Sequence, residues 1–328
     1  MKIKSMLVSI LMLLLVGNLL SAPSILSYSE FNGTVGTSYQ LTSNEDTTTG
    51  DIFLDNFDLS LGIAPSDFFS AYLGLIYDGS LDSFEIDEAY AKVRLMEEYS
   101  LNLQAGKFYQ PTSITPDYSN FITDSNTYMF TEILDLGLKT DVSWNIFTLS
   151  ASFFKENLDD DQNEANEDTN IDAFVLNLVS ELELTDGDLL LNASYISNIM
   201  SSSTFLDDEG LDNNEEITAL SLGAAFNWRV FSFLGEFALA LDEYNEQTPT
   251  VVHTELGYAY SDNLDFGLQY GMTKEAEIFP ETNYGGIINY TFLRNSFSSA
   301  KVSAEYIIAN EYNEDIVNTA TLKLTYEF

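Results

Sequence analysis

From residue 29 onward apolar and polar side chains alternate with a period of two, as in an extended strand with one apolar and one wet face. Phe147, Leu149, Ala151 and Phe153 alternate with Thr148, Ser150 and Ser152, and Leu256, Tyr258 and Tyr260 alternate with Glu255, Gly257 and Ala259. In TLKLTYEF, residues 321–328, Leu322, Leu324, Tyr326 and Phe328 share one face, while Thr321, Lys323, Thr325 and Glu327 share the other. Sixteen such segments are predicted, near residues 29–43, 52–64, 68–79, 85–95, 100–110, 132–144, 146–157, 171–184, 188–201, 216–229, 231–243, 250–261, 263–275, 282–293, 297–309 and 315–328.

The connections between these segments are of two kinds. Short turns (Pro65-Ser66-Asp67, Glu97-Glu98-Tyr99, Trp144-Asn145, Asp186-Gly187, Trp228-Arg229, Asp262-Asn263, Arg294-Asn295) alternate with longer loops such as 111–131, 157–170, 202–215 and 276–281. This asymmetry predicts an all-β fold, a transmembrane antiparallel up-and-down barrel of 16 strands with turns at one end and loops at the other. A soluble β-sandwich also alternates, but its outward faces should carry charge. Here the apolar face is Leu, Val, Ala, Phe and Tyr with almost no charge, and aromatics cluster near strand ends, as at Phe231, Phe233, Tyr326 and Phe328. Such placement suits interfacial girdles. A barrel of about eight strands is filled by its own side chains, whereas about sixteen leave an aqueous passage.

The first 22 residues read differently. Lys2 and Lys4 precede a mainly apolar run from Met6 to Leu20, the layout of a secretory signal peptide with maturation expected between residues 21 and 28. The remaining residues, 23–328, are assigned to the barrel. No later apolar run approaches the ~20 residues that a membrane-spanning helix needs.

The composition is acidic and aromatic together. The chain holds 52 Asp and Glu against 12 Lys and Arg, a net charge of −40, together with 23 Phe, 19 Tyr and 2 Trp. An acidic chain rich in aromatics is not the composition of a disordered one, and its sign excludes nucleic acid as a partner, because phosphates require basic patches.

Candidate chemistry concentrates in the lumen. The loop PTSITPDYSNFITDSNTYMFT, Pro111 to Thr131, is expected to fold into the barrel and narrow it, with Asp117, Tyr118, Asp124 and Tyr128 at the constriction. The period of two puts Glu88, Lys92, Arg94, Asp135, Lys139, Asp141, Glu181, Glu183, Glu236, Glu255, Asp265, Lys301, Glu305 and Lys323 on the pore wall. This set is mixed in sign but acidic on balance, which favours cations. Strict alternation would point Lys107 at lipid, so a bulge or a position above the membrane is expected there. His253, the single histidine, falls on the lumen side. The acidic run Asp159-Asp160-Asp161-Gln162-Asn163-Glu164 lacks the glycine at six and the glutamate at twelve of a calcium loop, and it and Asp207-Asp208-Glu209 read as solvated, charge-repelling surface, so no metal site and no cofactor are expected. With no cysteine and no Gly-x-Ser-x-Gly, nothing points to catalysis.

Several short motifs carry a resemblance. Asp87-Glu88-Ala89-Tyr90 followed by Ala105-Gly106-Lys107-Phe108-Tyr109-Gln110-Pro111 resembles the strand-turn-strand passage of phosphate-selective-type porins and of LbtU-like siderophore porins. Ser194-Tyr195-Ile196-Ser197-Asn198-Ile199, Gly235-Glu236, Ala240-Leu241-Asp242, Glu255-Leu256-Gly257-Tyr258 and Phe279-Pro280-Glu281-Thr282-Asn283-Tyr284 follow in the order of the second group. Two positions depart from it: Thr112-Ser113 stands where an aromatic and a glycine are usual, and Asn283 where an arginine is common. The resemblance implies a sixteen-stranded outer-membrane channel for iron chelates or other small solutes. Its implied partners are outer-membrane lipids, lipopolysaccharide, the barrel-insertion machinery, which would recognise Tyr326 and Phe328, and further copies in a homotrimer. The primary expectation is therefore a cation-preferring porin for passive diffusion. The alternatives are a siderophore-specific channel or a structural or adhesive surface barrel without an open pore.

Overall fold

The computed structural model describes residues 29–328 apart from 45–46, 79–82, 97–99, 115–117, 156–170, 172, 203–215, 243–246, 277 and 313–315. The predicted signal segment, Asp117, the Glu97-Glu98-Tyr99 turn and most of the two acidic loops lie outside the described residues.

The sixteen strands are β1 (Ser29–Ser43), β2 (Thr48–Ser66), β3 (Phe69–Asp78), β4 (Ser83–Met96), β5 (Leu101–Tyr109), β6 (Leu134–Trp144), β7 (Phe147–Phe154) and β8 (Ala173–Leu184), then β9 (Gly187–Ile196), β10 (Ala219–Trp228), β11 (Phe231–Ala240), β12 (Thr250–Ser261), β13 (Leu264–Lys274), β14 (Thr282–Arg294), β15 (Ser299–Asn310) and β16 (Ile316–Glu327). Each pairs antiparallel with its sequence neighbours, and β16 closes the ring on β1. Closure removes the unpaired backbone edge that hydrocarbon cannot satisfy. The last residue takes part: Phe328 N donates to Gly33 O at 3.0 Å, and Gly33 N donates to Phe328 O at 2.9 Å. Tyr326 and Phe328 stack at 5.8 Å.

Strand length fits the membrane. A strand such as β12 has 12 residues; at about 3.3 Å per residue and a tilt of about 45° that rises about 28 Å, close to a hydrocarbon core of about 30 Å. Leu149, Leu178, Leu222, Leu256, Leu268, Ile288 and Leu324 are exposed on the outer face. Exposed aromatic rings border this aliphatic band at the turn end: Trp228 stacks on Phe231, and Phe231 packs on Tyr258. Toward the loop end, Phe174 bridges Phe153 and Tyr195. Among the described residues, no helix is long and apolar enough to cross a membrane.

Among the described turns, Asp262-Asn263 lies where the pattern required, and those after β6, β8 and β10 are displaced by one residue. Asn145 and Arg229 adopt φ of 51° and 55° to reverse the chain tightly. Several strand ends fall short of their predicted limits, those of β9 and β10 among them. β9 stops at Ile196, where Asn198 caps a one-turn 3-10 helix by accepting from Met200 N at 3.0 Å, and β10 begins at Ala219 because Ile217 is already packed in a lumenal apolar cluster.

Candidate functional site: the barrel lumen and its inward strap

The described residues of the segment 111–131, which follows β5, lie along the inside of the barrel and touch successive strands in order. Ser152 of β7 donates to Gln110, and Ser194 of β9 donates to Pro111 O at 3.1 Å. Next, Ser113 Oγ and Ile114 N donate to Glu236 of β11 at 2.9 and 2.8 Å. Ser119 Oγ and Asn120 N donate to Glu255 of β12 at 2.6 and 3.2 Å. Asn289 of β14 donates to Asn120 O at 3.2 Å, and Ile122 N and Thr123 Oγ1 donate to Glu305 of β15 at 2.7 and 2.6 Å. The strap then returns, with Asn126 held between Thr273 and Asn283. A single helical turn, α1 (Asn126–Thr131), capped by Ser125, closes it, and Thr112 Oγ1 donates to Thr131 O at 2.7 Å, pinning its two ends together.

The physical logic is that of backbone satisfaction. An irregular segment inside a barrel has no ladder to take up its N–H groups, and each left unmet costs about 1–3 kcal/mol. Three carboxylates on the inner wall serve as acceptors for the strap: Glu236 and Glu255 each take a backbone N–H and a hydroxyl, and Glu305 takes a hydroxyl and two backbone N–H groups, from Ile122 and Thr123. Apolar contacts complete the seat: Ile114 and Tyr118 pack on Leu190, Ala225 and Leu234. Nearer the loop end, Phe130 and Ile133 join Phe154, Ile196, Met200, Ile217, Val251 and Phe279 in a larger apolar cluster inside the wall.

The predicted lumen residues divide accordingly. Strand register keeps them on the inner face, but Glu236, Glu255 and Glu305 are only 3%, 4% and 4% exposed, covered by the strap. His253 is covered with them: it faces Glu236 across the β11–β12 ladder, and its Nε2 lies 2.9 Å from Glu255 Oε1. On the other side Glu88, Lys92, Arg94 and Lys323 remain partly or fully accessible, and Lys323 is ion-paired with Asp55 of β2; Lys301, near the turn end of β15, is also partly accessible. Glu181 and Glu183 are exposed near the turn end, and Asp265 accepts from Asn289 at 2.7 Å. Asp135 and Asp141 are nearly buried; Asp141 accepts from Ser150 at 2.7 Å, and Lys139 lies over the Phe108 ring at 5.5 Å.

Of the expected constriction residues, Asp124 and Tyr128 sit on the strap and Tyr118 packs beneath it. Asp124 is exposed on the strap but flanked by protein. Desolvation first, then the charge of Glu132, push its carboxyl up to about 6, with Lys323 opposing and Asp55 and Glu305 adding to the rise. Tyr128 donates to Glu132 at 2.5 Å, and burial raises its phenol well above the usual range. Lys107 does lie on the outward side, paired between Ala89 and Leu136. Its ammonium donates to Ile86 O at 2.8 Å, where the β3–β4 ladder shifts register, so the bulge is on the neighbouring strands. Among the described residues no group of three or more His, Asp or Glu is arranged to hold a metal ion.

No family model matches the sequence, and no curated protein matches it. Solved structures do. OprB of Pseudomonas putida aligns at 12% identity over 92% of this chain and 94% of its own, with a TM-score of 0.63. OmpF of Salmonella typhi, in complex with daunomycin, aligns at 11% identity over 92% and 97%, with a TM-score of 0.65. An anion-selective porin from Comamonas acidovorans aligns at 9% identity over 92% and 99%, with a TM-score of 0.66. At such identities the likeness is one of architecture: the fold of this chain is that of the Gram-negative outer-membrane porins.

Proposed function

We propose that the chain is an outer-membrane channel through which small hydrophilic solutes diffuse passively. One observation carries this reading: a closed sixteen-stranded ring with an apolar exterior has a polar interior whose strap is fastened to one wall. The passage then follows the opposite wall, β1 to β4 and β16, past Asp124. Residues 1–22 act as the export signal, Tyr326 and Phe328 as the mark recognised during insertion, and the protein assembles as a homotrimer. A trimer form is named for one similar structure, OmpT of Vibrio cholerae. The pore prefers cations weakly, because three of its inner carboxylates lie under the strap and Lys92, Arg94 and Lys323 border the passage.

Planar-bilayer recording of the purified barrel tests the reading. Ohmic single-channel steps are expected, with a reversal potential in a potassium chloride gradient displaced modestly toward the cation; silent membranes after verified insertion would refute a channel. The siderophore-porin resemblance makes an iron chelate the alternative solute. Equal growth on a purified iron chelate with and without the gene would remove that alternative.

A further inference from the structure

Strand register brings five inner-face positions into one lateral row across β2 to β6: Gly62, Tyr72, Tyr90, Gly106 and Gly137. The two tyrosine rings are stacked, with centroids 5.3 Å apart and planes inclined by 22°, and Phe108 meets Tyr90 edge-on at 6.3 Å. Glycine stands on both flanks of the pair, so no neighbouring side chain in the row covers it. The glycines are not equivalent. Gly106 has φ of 138°, and a Cβ there would meet Ala89 O at 2.1 Å, so backbone geometry alone demands glycine. At Gly62 the nearest atom to an added Cβ is 3.9 Å away and φ is ordinary. No steric reason excludes a side chain at position 62, yet one there would fill the space beside Tyr72.

That space is a cavity of about 590 Å³ bordered by Glu30, Gly62, Ser70, Tyr72, Tyr90 and Lys92. It falls within the ~300–1,000 Å³ of small-ligand sites. Tyr90 also borders a second cavity of about 700 Å³, with Glu88 and Lys139 in its wall, so the stack stands where two spaces along the passage meet. Around the rings, Glu30 and Glu88 accept, Lys92 and Lys139 donate, and Ser70 does both.

We propose that the Tyr72–Tyr90 stack, with Glu30, Ser70 and Lys92 at its edge, is a subsite for the pyranose ring of a neutral sugar. The C–H face of a pyranose carries partial positive charge and lies well on the negative face of an aromatic ring. Its vicinal hydroxyls both donate and accept, and match a rim containing ionised groups of both signs, whose hydrogen bonds are the stronger kind. A flat aromatic solute would stack as well but would leave most of that rim without a partner. The subsite rests on the channel reading of the passage, since solute must reach it from bulk water.

Saturation-transfer NMR with maltose on the detergent-refolded barrel tests the site without requiring conductance; bilayer recording of the same preparation tests the channel separately. Wild type should saturate the pyranose protons. Tyr72→Ala/Tyr90→Ala and Gly62→Leu should each weaken binding at least tenfold, whereas Tyr72→Phe/Tyr90→Phe should retain it. Heat-modifiable migration on gels verifies that each variant is folded. Absence of saturation transfer in wild type, an unchanged signal in the folded alanine variant, or saturation of free tryptophan in place of maltose would overturn the proposal.

Discussion

The two halves of the lumen wall are made of similar strands and carry opposite assignments. From β7 to β15 the inner face holds three carboxylates and a histidine that are almost wholly hidden, because the strap lies on them. From β1 to β4 and at β16 the inner face holds tyrosines, lysines and an arginine open to the passage. A charged residue on an inner barrel face can thus serve either the solute or the chain itself. Burial and hydrogen-bond partners distinguish the two; residue type does not.

The comparison breaks most completely if the covered wall loses its acceptors. In Glu236→Ala/Glu255→Ala/Glu305→Ala seven donors of the strap lose their acceptor, each costing about 1–3 kcal/mol if it stays dry. The strap should detach, with a severalfold rise in single-channel conductance, a broad distribution of open levels and a lower unfolding temperature. Unchanged conductance in a folded variant would mean that the strap is held by its apolar contacts alone.

A smaller effect sharpens the electrostatics of the open side. The Asp124 carboxyl, raised to about 6, is mostly charged at about pH 7.5 and mostly neutral at about pH 5. Because the protonated form is uncharged, the passage loses a negative charge on acidification, and cation preference should fall as pH drops through about 6. Asp124→Asn should show the acid value at both ends of the range. Reversal potentials measured against pH check both statements. Lys323→Glu should give the smallest of the three changes. It turns one positive charge into a negative one beside Asp55 and should displace the reversal potential further toward the cation at neutral pH, without altering conductance by more than a fraction.

Much of this organisation was legible from alternation. A period of two identifies the strand and its two faces, and β1 and β12 match their predicted limits. Inward placement of the long loop follows from its length and its position among shorter connections. The fate of the inner face was not legible, because alternation distinguishes only inward from outward. Glu236 and Glu255 look like pore residues until Ile114 and Asn120, more than a hundred positions away in sequence, are seen to donate to them. Asn283, which stands where an arginine is common in the resembling porins, instead meets Asn126 of the strap. The tyrosine row was hidden for a related reason: Gly62, Tyr72, Tyr90 and Gly106 become neighbours only through the registers of three strand pairs. A sequence signal for the strap's anchorage does exist in retrospect. Ser113, Ser119 and Thr123 recur along it as small hydroxyl donors facing a wall with one carboxylate on each of β11, β12 and β15.

The chain contains no cysteine, so single thiols can be introduced without background. The most direct test of an open wall facing a covered one is modification of Ser70→Cys and Ser221→Cys by a charged, water-soluble methanethiosulfonate during bilayer recording. Ser70 is partly accessible on the inner face of β3, and Ser221, 1% exposed, lies on the inner face of β10. Rapid, stepwise loss of current is expected through Ser70→Cys channels and no change through Ser221→Cys channels. Equal modification of both, or block at Ser221→Cys alone, would contradict an open wall facing a covered one.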